Sequence, residues 1–280
     1  MPIIADSLMD SVYAYRLSKI PSLIPMTYNS VVKQYIEMYA VKKKNFSGRI
    51  LGLTKIYYPL FEEILDRYNM PLELKNLAIV ESALNPNATS RVGASGLWQF
   101  MYSTGRMYGL EVNTFIDDRR DPVKSTIAAA LHLRDLYNIY QDWALALAAY
   151  NCGPGNVNKA IRRSGGKTNF WEIYRFLPQE TRGYIPAFIA ATYTMTYYNE
   201  HGIVPVEPEF PLTTDTVMVN KELHLQQVAS ILKIPIETLE KLNPQYKRNI
   251  IPAINSSLPL VLPYHSSLAF DEFRDSIHAY

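Results

Sequence analysis

The chain has 280 residues, of which 48% are hydrophobic and 19% charged, enough apolar material for a packed core and too little charge for a disordered chain. With 28 Lys and Arg against 26 Asp and Glu the net charge is only +2, and the longest basic run is Lys42-Lys43-Lys44, read as a solvated helix face. That balance excludes the concentrated basic surface of a duplex-binding protein, and no nucleic-acid partner is expected.

From Tyr28 to His201 the dominant period is helical. Val32, Ile36 and Tyr39 recur at helical spacing, as do Leu60, Ile64 and Tyr68. Leu74, Leu77, Ala78 and Glu81 fall at i, i+3, i+4 and i+7, which predicts one helix with Glu81 on its apolar face. Ile127, Leu131, Leu133, Leu136, Tyr137 and Tyr140 predict another amphipathic helix. Asp142 stands as an N-cap before Trp143-Ala144-Leu145-Ala146-Leu147-Ala148-Ala149-Tyr150, apolar all round and therefore read as a buried helix. It stops at Asn151-Cys152-Gly153-Pro154-Gly155. Regular strands are not expected before residue 203. Between Ile203 and Pro211 three prolines forbid a regular helix and favour an extended strap. Beyond it the pattern is β-α-α-β: Val217-Met218-Val219, a stripe of Leu225, Val228, Ala229 and Leu232, a helix from Ile236 through Leu242, and Leu260-Val261-Leu262. Leu268 through Ile277 reads as a docking helix or a frayed tail.

A single cysteine, Cys152, excludes an internal disulfide and a Cys-rich zinc site. No apolar stretch reaches the ~18 residues of a membrane span. Met1-Pro2-Ile3-Ile4-Ala5-Asp6 lacks a basic and then apolar leader pattern. No metal-binding spacing and no phosphate loop appear, so no cofactor and no metal are expected.

The chemistry concentrates in four segments. A carboxyl at Glu81, on an apolar helix face, loses hydration, which raises its pKa toward that of a neutral-pH proton donor. By itself it reads first as a helix-terminal glutamate that snorkels to water or pairs with an arginine. Gly93-Ala94-Ser95-Gly96-Leu97-Trp98-Gln99-Phe100-Met101 sets two glycines ahead of an amide and bulky apolar groups. Ala149-Tyr150-Asn151-Cys152-Gly153 ends the buried helix in a phenol and an amide. Gln179-Glu180-Thr181-Arg182-Gly183-Tyr184 supplies a tyrosine on a loop or helix start. Asp117, Asp118 and Asp121 alternate with Arg119 and Arg120 and read as a solvated or salt-bridged turn; a catalytic carboxyl among them would favour hydrolysis by water.

In order and spacing these segments resemble the soluble-lytic-transglycosylase domain, a relative of goose-type lysozymes: its Glu-Ser, Gly-x-x-Gly-x-x-Gln, Ala-Tyr-Asn-x-Gly and late tyrosine motifs. Asn69-Met70-Pro71-Leu72-Glu73-Leu74 and Ile116-Asp117-Asp118-Arg119-Arg120-Asp121-Pro122 narrow the likeness to the membrane-bound lytic murein transglycosylase D family. Residues 214–263 resemble a LysM module, with Glu222-Leu223-His224-Leu225 where that family carries Gly-Asp-Thr-Leu, so the capping Asp and Thr are absent. A packing or regulatory role is the alternative to glycan binding there.

The resemblance implies a mainly α fold, a lysozyme-like helical transglycosylase domain followed by a small β-α-α-β LysM-like module. The expected division is an N-terminal helical extension (1–68), the catalytic domain (69–202), the Pro-rich linker (203–213), the module (214–263) and a tail or short helix (264–280). It implies cleavage of the β-1,4 bond between N-acetylmuramic acid and N-acetylglucosamine of peptidoglycan, with 1,6-anhydromuramoyl products. Glu81 would be the catalytic acid and then base. Ser82, Ser95, Gln99, Phe100, Met101, Tyr150, Asn151 and Tyr184 would contact substrate or support the acid, with Phe100 and Met101 as an apolar floor. Peptidoglycan is the implied partner, with association with the envelope membrane and a monomeric state. Location would be periplasmic or at the outer membrane, the export signal lying outside this sequence. A hydrolytic muramidase of the same fold and a silent wall-binding scaffold remain open alternatives.

Overall fold

The computed structural model describes residues 6–254 and 256–280. Residues 1–5, most of the stretch read above for a leader, lie outside the described residues. The first helices are α1 (Asp6–Lys19), α2 (Ser30–Glu37) and α3 (Lys44–Arg67), with a π turn at Met38–Lys42. A 3-10 turn at Leu72–Asn76 runs into α4 (Leu77–Ser82), and α5 (Tyr102–Met107) follows. Next come α6 (Pro122–Tyr140), α7 (Trp143–Cys152), α8 (Pro154–Arg163), α9 (Phe170–Ile173) and α10 (Gln179–Thr196). Beyond the strap are β1 (Thr214–Val219), β2 (Leu223–His224), α11 (Leu225–Leu232) and α12 (Ile236–Leu242). The chain closes with β3 (Ile250–Ile251), β4 (Leu258–Pro263), α13 (Ser266–Glu272) and α14 (Arg274–Ala279). The fold is mainly α, as expected.

The chain forms two compact units. One runs through Leu84 and resumes over Ala129–Val206; the other comprises Asn85–Ala128 and Glu207–Tyr280.

In the first unit, the long helix α10 packs against α2, α4 and α7. Asn29 caps α2 by accepting from the Val31 and Val32 amides, and Val32 and Ile36 turn inward with no exposed surface. Asp142 caps α7 through the Leu145 amide at 2.8 Å, and Leu145 through Ala149 are buried, as the uninterrupted apolar run demands. Gly183 permits close packing of α10 on α2: a Cβ there would lie 2.2 Å from the Tyr35 hydroxyl oxygen. The strap holds no regular structure over 203–208; it is pinned by the Val206 amide, which donates to Gly48 O at 2.9 Å.

Leu74 and Glu81 do not share one continuous helix. The Asn76 side chain donates to Glu73 O and accepts from the Tyr58 hydroxyl, local bonds that hold the tighter 3-10 turn before α4 begins. The Lys42-Lys43-Lys44 run is exposed at the junction of the π turn and α3.

In the second unit, β1 pairs antiparallel with β4 from Thr214↔Pro263 to Val219↔Leu258. A second ladder, β2 with β3, adds two short strands that the sequence pattern did not reveal, two residues being too short to show alternation. Val217, Leu225, Val228, Leu239, Leu260 and Leu262 form the core, and Phe270 and Ile277 belong to it with no exposed surface. The stretch 264–280, read as a tail or short helix, is thus two helices packed into the module.

The acidic turn is salt-bridged but not solvated. Asp117 and Asp118 are each only 2% exposed. Asp117 grips Arg119 through two oxygens, at 2.9 Å to Nε and 2.8 Å to Nη2, and Arg119 Nη1 donates to Gly93 O and Phe100 O. Asp118 takes the Glu111 amide and Lys124 Nζ, while Asp121 caps α6 through the Val123 and Lys124 amides. Arg119 therefore clamps the glycine loop from behind. Gly96 is the contact that allows it: its φ is +88°, and a Cβ there would lie 1.7 Å from Arg119 O. Gly96→Ala is expected to cost at least about 3 kcal/mol in denaturant unfolding, whereas Gly93→Ala, with open space at its Cβ, costs only the backbone strain.

Candidate active site

Glu81 lies in the last turn of α4, behind Leu77 and Ala78, which have no exposed surface. The residue is half-buried, and desolvation of its carboxyl pushes the pKa up to about 7. The Tyr184 hydroxyl donates to Glu81 Oε1 and pulls the other way, while the negative charge of Glu180 adds to the rise. A position at a helix C-terminus, where the peptide dipoles end negative, works in the same sense as burial.

The backbone leaves α4 abruptly. Ala83 and Leu84 adopt left-handed φ values of 53° and 60°, two successive non-glycine residues in a sparsely populated region. The Ser82 hydroxyl donates to Ala78 O at 3.1 Å, so one of its roles is local.

Tyr150 ends the buried part of α7, and Tyr184 sits in the second turn of α10 rather than on a loop. Burial first and the nearby Glu81 carboxylate second push both phenols well above their ordinary range. Both are therefore hydrogen-bond donors at neutral pH. Glu81, Tyr150 and Tyr184 form one electrostatically coupled group. Asn151 joins its edge: its Oδ1 accepts from the Thr181 hydroxyl at 2.8 Å, and Thr181, 1% exposed, also bonds Cys152.

The remaining expected site residues belong to the second unit. Gln99 has φ +49° and donates its amide to Ala88 O at 3.1 Å and Gly96 O at 2.9 Å, holding its own loop and leaving its carbonyl oxygen outside both bonds. Ser95 is fully buried, exchanges backbone bonds with Phe100 and accepts from Arg120 Nε at 3.4 Å. Phe100 is buried at 2%, and Met101 is 42% exposed at the start of α5.

Sequence reasoning missed three neighbours in the first unit: Glu180, Thr181 and His132. His132 lies 5.1 Å ring to ring from Tyr150, and burial pushes its pKa down to about 4, so it is neutral. Thr181 and Glu180 were in the late tyrosine segment, three and four residues ahead of Tyr184, which is a one-turn helical spacing. Nothing in the local pattern singles out His132. Among the described residues no group of three or more His, Cys, Asp or Glu side chains is arranged to hold a metal ion.

The raised carboxyl pKa has a stability consequence with a definite sign. Between about pH 4.5 and 7 the native state holds a proton that the unfolded chain has lost, so stability falls as pH rises through that window. Glu81→Gln removes the slope, and at pH 8 the variant is expected to be more stable than the parent by roughly 2 kcal/mol, read by denaturant titration at pH 4.5 and 8. Tyr184→Phe removes a bond that favours the ionised form and is expected to move the Glu81 pKa further up, read by carboxyl titration in isotope-edited NMR.

Comparison with known proteins gives this geometry a setting. Residues 59–172 match the transglycosylase SLT domain family, and residues 213–279 match the LysM-like domain of lytic transglycosylase MltD. The chain is 35% identical over 253 residues to membrane-bound lytic murein transglycosylase D of Escherichia coli, covering 89% of this chain and 54% of that relative. The chain thus spans about half the length of the curated relative it matches. It is 36% identical over 141 residues to membrane-bound lytic murein transglycosylase F of Maricaulis maris, covering 45% of this chain and 29% of the relative. Among solved structures it is similar to the 70-kDa soluble lytic transglycosylase of E. coli, with 28% identity, a TM-score of 0.43, and coverage of 51% of this chain and 24% of that one. The chain thus combines an SLT transglycosylase domain with an MltD-type LysM-like domain.

Proposed function

We propose that this chain is a lytic transglycosylase that cleaves the β-1,4 bond between N-acetylmuramic acid and N-acetylglucosamine in peptidoglycan. The observation that carries the reading is the Glu81 carboxyl, raised to about 7 by burial and held by the Tyr184 phenol, within a domain of the SLT family. A carboxylic acid still protonated near neutral pH is suited to donate its proton to the glycosidic oxygen as the bond to C1 breaks. The resulting carboxylate takes the proton of the muramic acid's own C6 hydroxyl as that oxygen attacks C1. A 1,6-anhydro ring closes and no water is consumed. One enzymic carboxyl suffices because the nucleophile is tethered to the reacting sugar, where effective molarities reach about 10⁵ M or more.

Tyr150 and Tyr184, whose phenols burial pushes well above their ordinary range, are the donors suited to steady Glu81 through its two charge states and to hold a substrate acetamido oxygen. Asn151 would take a polar group of the saccharide, and Ser82 would steady the helix end that carries the acid. Because peptidoglycan lies outside the cytoplasm and the D- and F-type relatives named above are membrane-bound by name, an exported protein of the periplasm or outer membrane fits this substrate. No helix among the described residues is long and apolar enough to cross a membrane.

A second carboxylate near Glu81 keeps one rival in view, hydrolysis with Glu180 guiding a water. Purified sacculi digested by parent, Glu81→Gln and Glu180→Gln chains separate the two by mass spectrometry, the anhydro product being one water lighter. Glu81→Gln is expected to lose at least about 100-fold in release rate, and Glu180→Gln to keep making anhydro ends. Activity of the parent is expected to fall above about pH 7, as the acid ionises. Full activity in Glu81→Gln would overturn the transglycosylase reading; hydrated products that vanish in Glu180→Gln would establish the hydrolytic one.

A further inference from the structure

Asn85–Ala128 lies inside the SLT match at 59–172, yet it folds into one unit with the C-terminal module. The joint between them is a short piece of β pairing. Ile116 and Tyr246 oppose each other as an antiparallel bridge. On either side of it the Asp117 amide donates to Gln245 O at 2.9 Å and the Lys247 amide to Phe115 O at 2.7 Å. Lys247 Nζ adds a bond to Asn113 O. Ile116 and Tyr246 are buried in the module's core, and Phe115 packs against it.

The module holds its side of the joint firmly. Asn243 donates to Leu239 O in α12 at 2.9 Å and to Val261 O in β4 at 2.8 Å, and accepts the Val261 amide. The Tyr246 phenol donates to Pro259 O at 2.6 Å. The other side of the joint ends at Asp117, whose carboxylate grips Arg119, and Arg119 donates to Gly93 O and Phe100 O. Arg119 O also fills the space that a Cβ on Gly96 would need, so the glycine loop rests on both the side chain and the backbone of Arg119. A buried bidentate pair keeps its geometry only while both partners are seated, and the seat of Asp117 is its backbone bond to Gln245.

We infer that segment 245–247 of the LysM-like module positions the glycine loop of the transglycosylase domain, acting through Asp117 and Arg119. Gln245 and Lys247 are positioning residues, and the module is a structural part of the catalytic domain rather than a tethered appendage. The effect on activity rests on the function proposed above; the effect on the loop does not.

The test uses the full chain with Lys247→Pro. Lys247 opens a 3-10 turn and Tyr246 before it is extended, at φ −87° and ψ 106°, a backbone that proline tolerates. The change deletes the amide that bonds Phe115 O, while Lys247→Gln keeps it. Hydrogen exchange at the Ser95 and Phe100 amides, which bond across the loop, is expected to quicken about tenfold in Lys247→Pro and to stay near the parent rate in Lys247→Gln. Val219→Ala, in the module's core but outside the joint, is expected to lower the melting temperature without loosening the loop. Release of anhydro products from sacculi is expected to fall about tenfold in Lys247→Pro, with co-sedimentation on the Glu81→Gln background unchanged. If Lys247→Pro does not fold, Ile116→Val trims the joint from its other side, with an expected rise in loop exchange of about threefold. Parent-like loop exchange, equal loosening in Val219→Ala, full activity with a loose loop, or a release loss matched by weaker sacculus binding each overturns the inference. A parent chain that cuts no glycan overturns the proposed function instead, and loop exchange still decides the module's role.

Discussion

Stripped of most of its water, the Glu81 carboxyl pays in hydration whenever it ionises, and one phenol returns part of that loss. The balance sets its proton near neutral pH. Much of the first unit serves that balance. The apolar side of α4 sits on a core that α10 also lines, α10 carries Tyr184, and Gly183 lets α10 close on α2. A smaller hydrophobic face on α4 would leave the carboxyl hydrated and ordinary. A missing Tyr184 would leave it more reluctant to ionise.

The helical frame was legible because its signals are local. Asp142 reads as a cap and caps α7, and the apolar run behind it is buried as written. The four motif segments were legible as well, and the domain likeness followed from their spacing. What could not be read depends on contacts distant in sequence. Asp117 and Asp118 look like a charged surface turn until Arg119 is seen donating to Gly93 O and Phe100 O, 26 and 19 residues away. Glu180 shifts Glu81 across nearly one hundred positions of chain, and only the fold makes that distance short. The tight turn before α4 arises from the Asn76 side chain, whose Tyr58 partner no periodicity could name.

The LysM-like module departs from its family at the turn that usually carries Gly-Asp-Thr-Leu, yet its helix is still capped. His224 accepts the Gln226 amide at 3.1 Å, and Gln227 accepts the His224 amide at 2.8 Å, a reciprocal pair built from different side chains. The helix start has been preserved while the loss of Asp and Thr changes the chemistry that turn offers to a ligand. The module's packing gives a physical reason to keep it folded regardless of what it binds. Ile116 lies in its core; the Asp117 amide donates to Gln245 O at 2.9 Å and the Lys247 amide to Phe115 O at 2.7 Å. The same Asp117 holds Arg119 by its carboxylate, and Arg119 holds the glycine loop. Backbone bonds therefore run from the module to Asp117, and charge-assisted bonds run onward to the loop that carries Gln99. An ion pair so buried is costly to leave half-made. Loosening the module would take away the backbone that seats Asp117, and the loop bearing the second motif would lose its support with no change in any of its own residues.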